Sequence, residues 1–412
     1  MSKNFNFESI TCEKALIKLS VTPAGQGQIF FVVSVRSSVD AVQAASVSYN
    51  QIAEMLRDRK FEIVHERIFG SLSVESYVME ARNNALKRYN VLADNSVTYI
   101  QGNPPWGEGL AGTIIHAVLP NRLVDVWTIK NGEYPCGRGW RMNNSTYLVL
   151  QNISGKHCGS NYNGTRHLQV RHMLNRAEQI LRENGASYRD VVRTWFYISD
   201  ILDWYASFNK VRNEKYGEFG IMPGPGDENL LLPASTAIQG DTPSGAAATM
   251  DLIAIVGKTD SRPTVKQLTN MTQLNAFHYG SAFSRGALVQ DSDVSLIEVS
   301  GTAAIDYRGK SQFIDDIRGQ INCTFDKIKK LICTQGAELT DIAAATVFVK
   351  RPEHATIFWQ MASEHGIEEF PAVCVVAEVC RDELLFEIDA EVVLRKLRKV
   401  DDKREKYVQR KR

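Results

Sequence analysis

The sequence predicts an α+β protein built from three tandem copies of one unit, the first of them degenerate. Three observations lead there. In the last third, hydrophobic patterning switches between the two-residue period of a strand and the 3.6-residue period of a helix, in the order β, α, β, α, β, β. The middle third repeats that order, and the first third keeps a worn version of it. Self-similarity on this scale marks a duplicated fold.

In the last third, SLIEVSGTAAID (295–306) reads as a strand and IRGQINCTFDKIKKLICTQG (317–336) as an amphipathic helix stopped at Gly336. IAAATVFVK (342–350) reads as a strand and PEHATIFWQMASEHG (352–366) as a second helix, with FPAVCVVAEV and LLFEIDAEVVL as a closing hairpin. The middle third answers with TYLVLQNISG (146–155), QVRHMLNRAEQILRENG (169–185), DVVRTWFYISD (190–200), DWYASFNKVRNEKYGEFG (203–220), LLLPASTAIQG (230–240) and AATMDLIAIVG (247–257). Ser154-Gly155 matches Ser300-Gly301, Gly185 matches Gly336, and Leu232-Pro233-Ala234 matches Phe370-Pro371-Ala372. IMPGPGDEN (221–229) is an inserted Gly/Pro-rich loop. In the first third, QIFFVVSVRS (28–37), 51–72, 76–92, 97–105 and 111–120 preserve the helix–strand–helix–hairpin order while their residues drift. The units are placed at 13–135, 143–257 and 275–394, with linkers near 121–142 and 258–274 and a basic tail at 395–412.

Composition sets outer bounds. The 412 residues are 44% hydrophobic and 23% charged with a formal net charge of +1, close to an average folded chain, so nothing demands a polyanionic partner. The N-terminal stretch has no apolar signal core, and no run approaches the roughly 18 apolar residues of a membrane span, which points to a cytoplasmic protein. Seven cysteines form no CxxC pair and suit reduced thiols. The tail carries ten Lys/Arg against three acids and reads as a solvated helix end rather than a nucleic-acid or membrane contact.

The segments DVVRTWFYISD, DIAAATVFVK, GSAFSRGALV, SGTAAID and FPAVCVVAEV resemble the RidA/YjgF family. The resemblance implies chorismate-mutase-like α+β units, here fused into an internal pseudotrimer with sites between adjacent units. It also implies a monomer of that kind, or a higher homo-oligomer. Imine deaminases of that family carry an arginine directly after the Pro-Ala of the hairpin, where this chain has Ser235 and Val373. Deamination would therefore need an arginine from elsewhere.

A closer resemblance, over roughly 145–392, is to the chorismatases, carried by LNAFHYGSAFSRGALVQDSDVSLIEVSGTAAID (274–306), VVRTWFYISDILDWYASFNKVRNEKY (191–216) and EVCRDELLFEID (378–389). It implies conversion of chorismate to pyruvate and a hydroxylated benzoate without a cofactor. It assigns the proton donor to Glu387, and Cys380, seven residues earlier, implies the 3-hydroxybenzoate product.

The residues make chemical sense of this independently. Cleaving an enol-pyruvyl ether begins with protonation of its methylene carbon, which needs an acid still protonated near neutral pH. Burial of Glu387 among Leu385, Phe386 and Ile388 would raise its pKa. Period-two alternation puts Leu385, Glu387, Asp389 and Glu391 on one strand face, which must look into a cleft or out to solvent. The same alternation also describes an ordinary half-exposed strand, and Cys380 also reads as a small buried hydrophobe. A dianionic substrate needs two carboxylate anchors, for which Arg212, Tyr279, Arg193 and Arg285 are the candidates, with rim or surface roles as the alternative. A non-catalytic metabolite-binding protein of the same fold would show Glu387 in solvent or a filled cleft.

Three other patterns are set aside. GEGLAG (107–112) satisfies GxGxxG but precedes a β-rich segment rather than a helix. His157, His167 and His172 share no helix face and gain no further ligand, so no metal is expected. Trp195, Phe196, Trp204 and Tyr205 are expected in the core.

Overall fold

A computed structural model of the chain describes residues 10–394 apart from 13–14, 26, 93–95, 121–123, 143–144, 157–163, 224–230, 258–263, 270–276, 278–279 and 292–293. Three six-stranded mixed sheets follow one another. The first contains β1 (Ile10–Cys12), β2 (Ala15–Ala24), β3 (Gln28–Val35), β4 (Glu62–Gly70), β5 (Thr98–Gln101) and β6 (Leu110–Val118), with α1 (Ala41–Arg59) and α2 (Glu75–Arg88). The second contains β7 (Asp125–Asn131), β8 (Tyr134–Met142), β9 (Ser145–Ser154), β10 (Val191–Ile198), β11 (Ala234–Gln239) and β12 (Ala248–Gly257), with α3 (Arg166–Glu183) and α4 (Ile201–Glu218). The third contains β13 (Thr264–Leu268), β14 (Gly286–Gln290), β15 (Ser295–Ala303), β16 (Ile342–Val349), β17 (Ala372–Val376) and β18 (Phe386–Leu394), with α5 (Ile317–Cys333) and α6 (Pro352–Glu364).

All three sheets share one topology: β1-β2-β3-β6-β4-β5, β7-β8-β9-β12-β10-β11 and β13-β14-β15-β18-β16-β17. This corrects the expected closing hairpin. A strand that follows a helical crossover returns parallel to its predecessor, so β17 pairs parallel with β16 and β18 inserts antiparallel between β15 and β16. The acid-bearing strand is therefore central rather than half exposed. The segments expected as linkers are corrected too. Residues 125–142 form the β7–β8 hairpin of the second sheet, and Thr264–Leu268 forms β13. Their alternating residues satisfy backbone groups along β9 and β14 that would otherwise lie at an edge.

Helices cover one face of each sheet. On α5, Ile321, Phe325, Ile328 and Ile332 recur at helical spacing and pack with Phe386, Ile388, Ala390 and Val392 of β18. The opposite sheet faces meet one another, and the units close a ring. Gln101 N donates to Asp241 O (2.8 Å), Gln239 N to Glu378 O (3.1 Å) and Val376 N to Asn103 O (2.8 Å), each bond joining one unit to the next. These donors stand at one register position, because Arg67–Thr98, Trp195–Thr236 and Thr346–Val373 are equivalent pairs. The chain is an internal pseudotrimer, as expected.

The register also aligns the units residue by residue. Phe69–Gly112, Tyr197–Thr249 and Phe348–Glu387 are corresponding pairs, so only the third unit has a carboxyl at that place. A bulge falls between Val299 and Thr302 and at the matching step of β12 and β9, where Met250 pairs with Ile153 and Leu252 with Leu150. Gln151-Asn152, not Ser154-Gly155, thus occupies the place of Ser300-Gly301. The Ser-Gly anchor of the sequence comparison was offset by three residues.

Candidate active site

Alternation on β18 sends Phe386, Ile388 and Ala390 into the helix-covered core and Glu387, Asp389 and Glu391 toward the meeting faces of the units. All three acids are buried, at 5%, 1% and 4% exposure. Their surroundings differ. Asp389 accepts hydrogen bonds from Arg193 Nη2 (3.1 Å), Trp195 Nε1 (3.1 Å), Thr236 Oγ1 (2.8 Å) and the Thr346 backbone N–H (3.2 Å). Glu391 pairs with Arg67 of the first unit at 2.5 Å. Glu387 instead lines a cavity of about 430 Å³ between the second and third units.

Leu202, Tyr205, Asn209 and Arg212 of α4, with Ser235 and Ala237 of β11, form one wall of that cavity. The third unit supplies Phe283, Arg285, Gly301, Cys380, Arg381 and Glu387. The bulge in β15 leaves Ser300 and Gly301 unpaired with β18, and the second unit captures both. Ser300 Oγ accepts from Ser235 N (2.8 Å), and Gly301 N donates to Thr236 Oγ1 (3.1 Å). Gly301 lets the Glu387 carboxyl approach closely, because a Cβ there would lie 2.1 Å from Glu387 Oε1 and would push it aside.

Burial, reinforced by the neighbouring Asp389 charge and opposed by Arg285 and Arg193, pushes the Glu387 carboxyl up to about 8. It is an acid that holds its proton at neutral pH. The apolar contribution comes from the cavity wall, not from Phe386 and Ile388, which face away from the carboxyl. Burial and the Glu387 charge push the Cys380 thiol up to about 12. Cys380 is a proton-bearing thiol rather than a nucleophilic thiolate.

Arg212 is fully buried and donates to Asn209 Oδ1 (2.7 Å), while its Nε and Nη1 have no hydrogen-bond partner among the described residues. The rings of Phe196, Phe208 and Phe283 surround its guanidinium at 5.6–5.7 Å. A buried cation with open donors in a cavity is a site for an anionic oxygen. Arg285 lines the same cavity, over the Phe283 ring at 5.3 Å.

The structure thus brings Glu387, Cys380, Arg212 and Arg285 together. It does not bring Arg193, whose guanidinium points to Thr236, Asp389 and, at 3.6 Å, Glu298, and serves as a bridge between units. Tyr279 lies outside the described residues. Arg381, Asn209, Tyr205 and Gly301 were not anticipated. Arg381 directly follows Cys380, and Asn209 precedes Arg212 by one helical turn, so both had a spacing signal. Tyr205 is half buried on the cavity wall rather than in the core, unlike Trp195, Phe196 and Trp204. GEGLAG runs into β6, so no helix N-terminus stands behind it for a phosphate.

The fold and site define a class: an α+β ring of three like units with one acid-bearing cleft. Residues 277–394 match the family described as Endoribonuclease L-PSP. Over 81% of its length the chain is similar in fold to a crystal structure of chorismatase, with a TM-score of 0.58 and 18% identity, and the match covers 97% of that chain. Shorter matches include yeast Mmf1, at 16% identity over 32% of this chain and 100% of that chain (TM-score 0.27). E. coli TdcF, at 20% identity, covers 32% of this chain and 99% of its own (TM-score 0.26).

Proposed function

We propose that the chain is a chorismatase-like enzyme that releases pyruvate from chorismate and leaves a hydroxylated benzoate, 3-hydroxybenzoate in particular. The observation that carries the reading is Glu387: a carboxyl raised to about 8, in a cavity it shares with a buried arginine that has open donors. Arg212 and Arg285 hold the substrate carboxylates. Glu387 delivers its proton to the enol-ether methylene carbon, and the ring C–O bond breaks with its electron pair leaving on pyruvate. The neighbouring ring hydroxyl oxygen closes onto the cationic carbon and loses its proton, returning the one Glu387 supplied. The resulting epoxide opens to the aromatic phenol by a proton shift, in which the Cys380 thiol serves as the relay. One proton enters and one leaves, and no water is consumed.

The test follows pyruvate on incubation of the full chain with chorismate, together with the aromatic product. Lack of turnover would sink the reading. Because the active form is the protonated acid, kcat/KM should be level below about 8 and fall tenfold per pH unit above it. An activity that rises through that range would exclude Glu387 as the proton donor.

Gly301→Ala should lower turnover about a hundredfold by displacing the carboxyl. Its thermal midpoint should be unchanged, because a carboxyl can swing into the cavity. Equal losses of midpoint and turnover would mean the close approach is only structural.

A second reading has one observation in its favour. Arg212, Arg285 and Arg381 line the cleft and could replace the arginine missing at Ser235, as an imine deaminase would need. Ammonia release from a small imino acid, with no pyruvate from chorismate, would favour it.

A further inference from the structure

The ring has three clefts at equivalent places, and they differ in what the register puts there. Between the third and first units, Gly112 holds the position of Glu387, and a Cβ there would lie 2.0 Å from Val33 O and 3.0 Å from Val373 Cγ2. Arg36 of the first unit stacks over Trp359 of the third at 3.8 Å across the same junction. Where the second unit borders the first, a cavity of about 350 Å³ is open, walled by the second unit with Ser96 of the first at its edge.

Gly137, paired with Leu150, corresponds to Gly286, paired with Val299. Cys136 therefore stands where the catalytic cleft has Arg285, and Tyr134 where it has Phe283. Beyond the bulge, Asn152, Ser154 and Lys156 stand for Gly301, Ala303 and Ile305. All five line the open cleft, with Gln151, Arg176 and Ser244 beside them. At the acid's position is Thr249, whose hydroxyl is 3.1 Å from Thr242 Oγ1. The cations have moved to new walls and the proton donor has gone.

Gln151 shows what else the cleft asks of a ligand. It is 1% exposed, and its amide nitrogen donates to Glu66 O (2.8 Å). Its Oε1 has no hydrogen-bond partner among the described residues. Lys156 Nζ and Arg176 favour an anionic oxygen, Gln151 Oε1 favours a donor such as a hydroxyl, and Ile153, Pro135 and Cys136 favour a carbon skeleton between them. We propose that this cleft is a second, non-catalytic binding site for a small hydroxy acid. The proposal does not depend on the substrate of the catalytic cleft.

The test uses the full chain carrying Arg212→Ala, which removes the buried anchor of the catalytic cleft, titrated calorimetrically with 3-hydroxybenzoate, benzoate and inorganic phosphate. One saturable site should remain for 3-hydroxybenzoate, with benzoate and phosphate weaker. Adding Lys156→Ala and Arg176→Ala should weaken 3-hydroxybenzoate by roughly tenfold or more. In case Arg212→Ala does not fold, the same two substitutions in the otherwise unaltered chain should remove one of two sites. No saturable binding, or binding unmoved by the two substitutions, overturns the proposal.

Discussion

Glu387→Gln should reduce pyruvate release from chorismate by about 10²–10⁴-fold, the usual contribution of a positioned general acid, while making the protein more stable at alkaline pH. The substitution keeps the shape of the side chain but removes the transferable proton. The stability effect has a definite sign. A carboxyl raised from 4.5 to about 8 binds its proton more tightly in the folded chain than in the unfolded one. Its contribution to stability is full below the unfolded value, declines as pH rises, and is lost once pH passes the folded value. Above about 8 the native chain must bury an anion, at a cost on the order of a few kcal/mol that glutamine avoids. Urea unfolding of the two proteins should agree in acid and diverge in favour of the glutamine variant as pH rises. A variant less stable at every pH would show that Glu387 is a structural residue, and its inactivity would then say nothing about proton transfer.

How much of this was legible depends on which interactions are local. The α5 and α6 helices were readable because their apolar spacing and stop signals lie within the segment, and the acid-bearing face of β18 was readable from alternation alone. The destination of that face was not. It depends on β18 inserting between β15 and β16 rather than hairpinning with β17, a choice made by the crossover and not by β18 itself. Arg193 shows the same limit. Its sequence neighbourhood resembles a substrate clamp as much as a bridge, and only the arrival of Asp389 from the third unit, 196 positions away, settles its partner. The Ser-Gly anchor failed for a related reason, because a bulge changes register without leaving any mark in composition. The motif resemblance points to Glu387, Cys380, Arg212 and Arg285, which line one cavity, but not to Arg381 beside them, because a cavity wall is assembled from segments that are distant in sequence.

Asp389→Ala should destabilise the chain by about 3–5 kcal/mol, the typical result of leaving a buried charge without its partner. Four donors converge on this carboxylate, from Arg193, Trp195, Thr236 and the Thr346 backbone. Three of them belong to the second unit and one to the third, so the contact fastens the two walls of the cleft that holds Glu387. With Asp389 gone, Arg193 is fully buried and keeps Glu298, at 3.6 Å, as its ion-pair partner among the described residues, with the Glu391 and Arg67 charges farther off. The pair Arg193→Met with Asp389→Leu should recover most of the loss, because two apolar side chains leave no orphaned charge. Recovery by the double variant separates an ion-pair effect from a packing effect, which it would not repair. The single change also bears on the acid two residues away. Asp389 raises the Glu387 pKa and Arg193 lowers it, so removing only the carboxylate shifts the balance toward the anion. The alkaline fall in kcat/KM should then begin at lower pH in Asp389→Ala, and return toward its original position when Arg193 is also replaced. An unmoved limb would mean that desolvation by the cavity wall alone keeps Glu387 protonated.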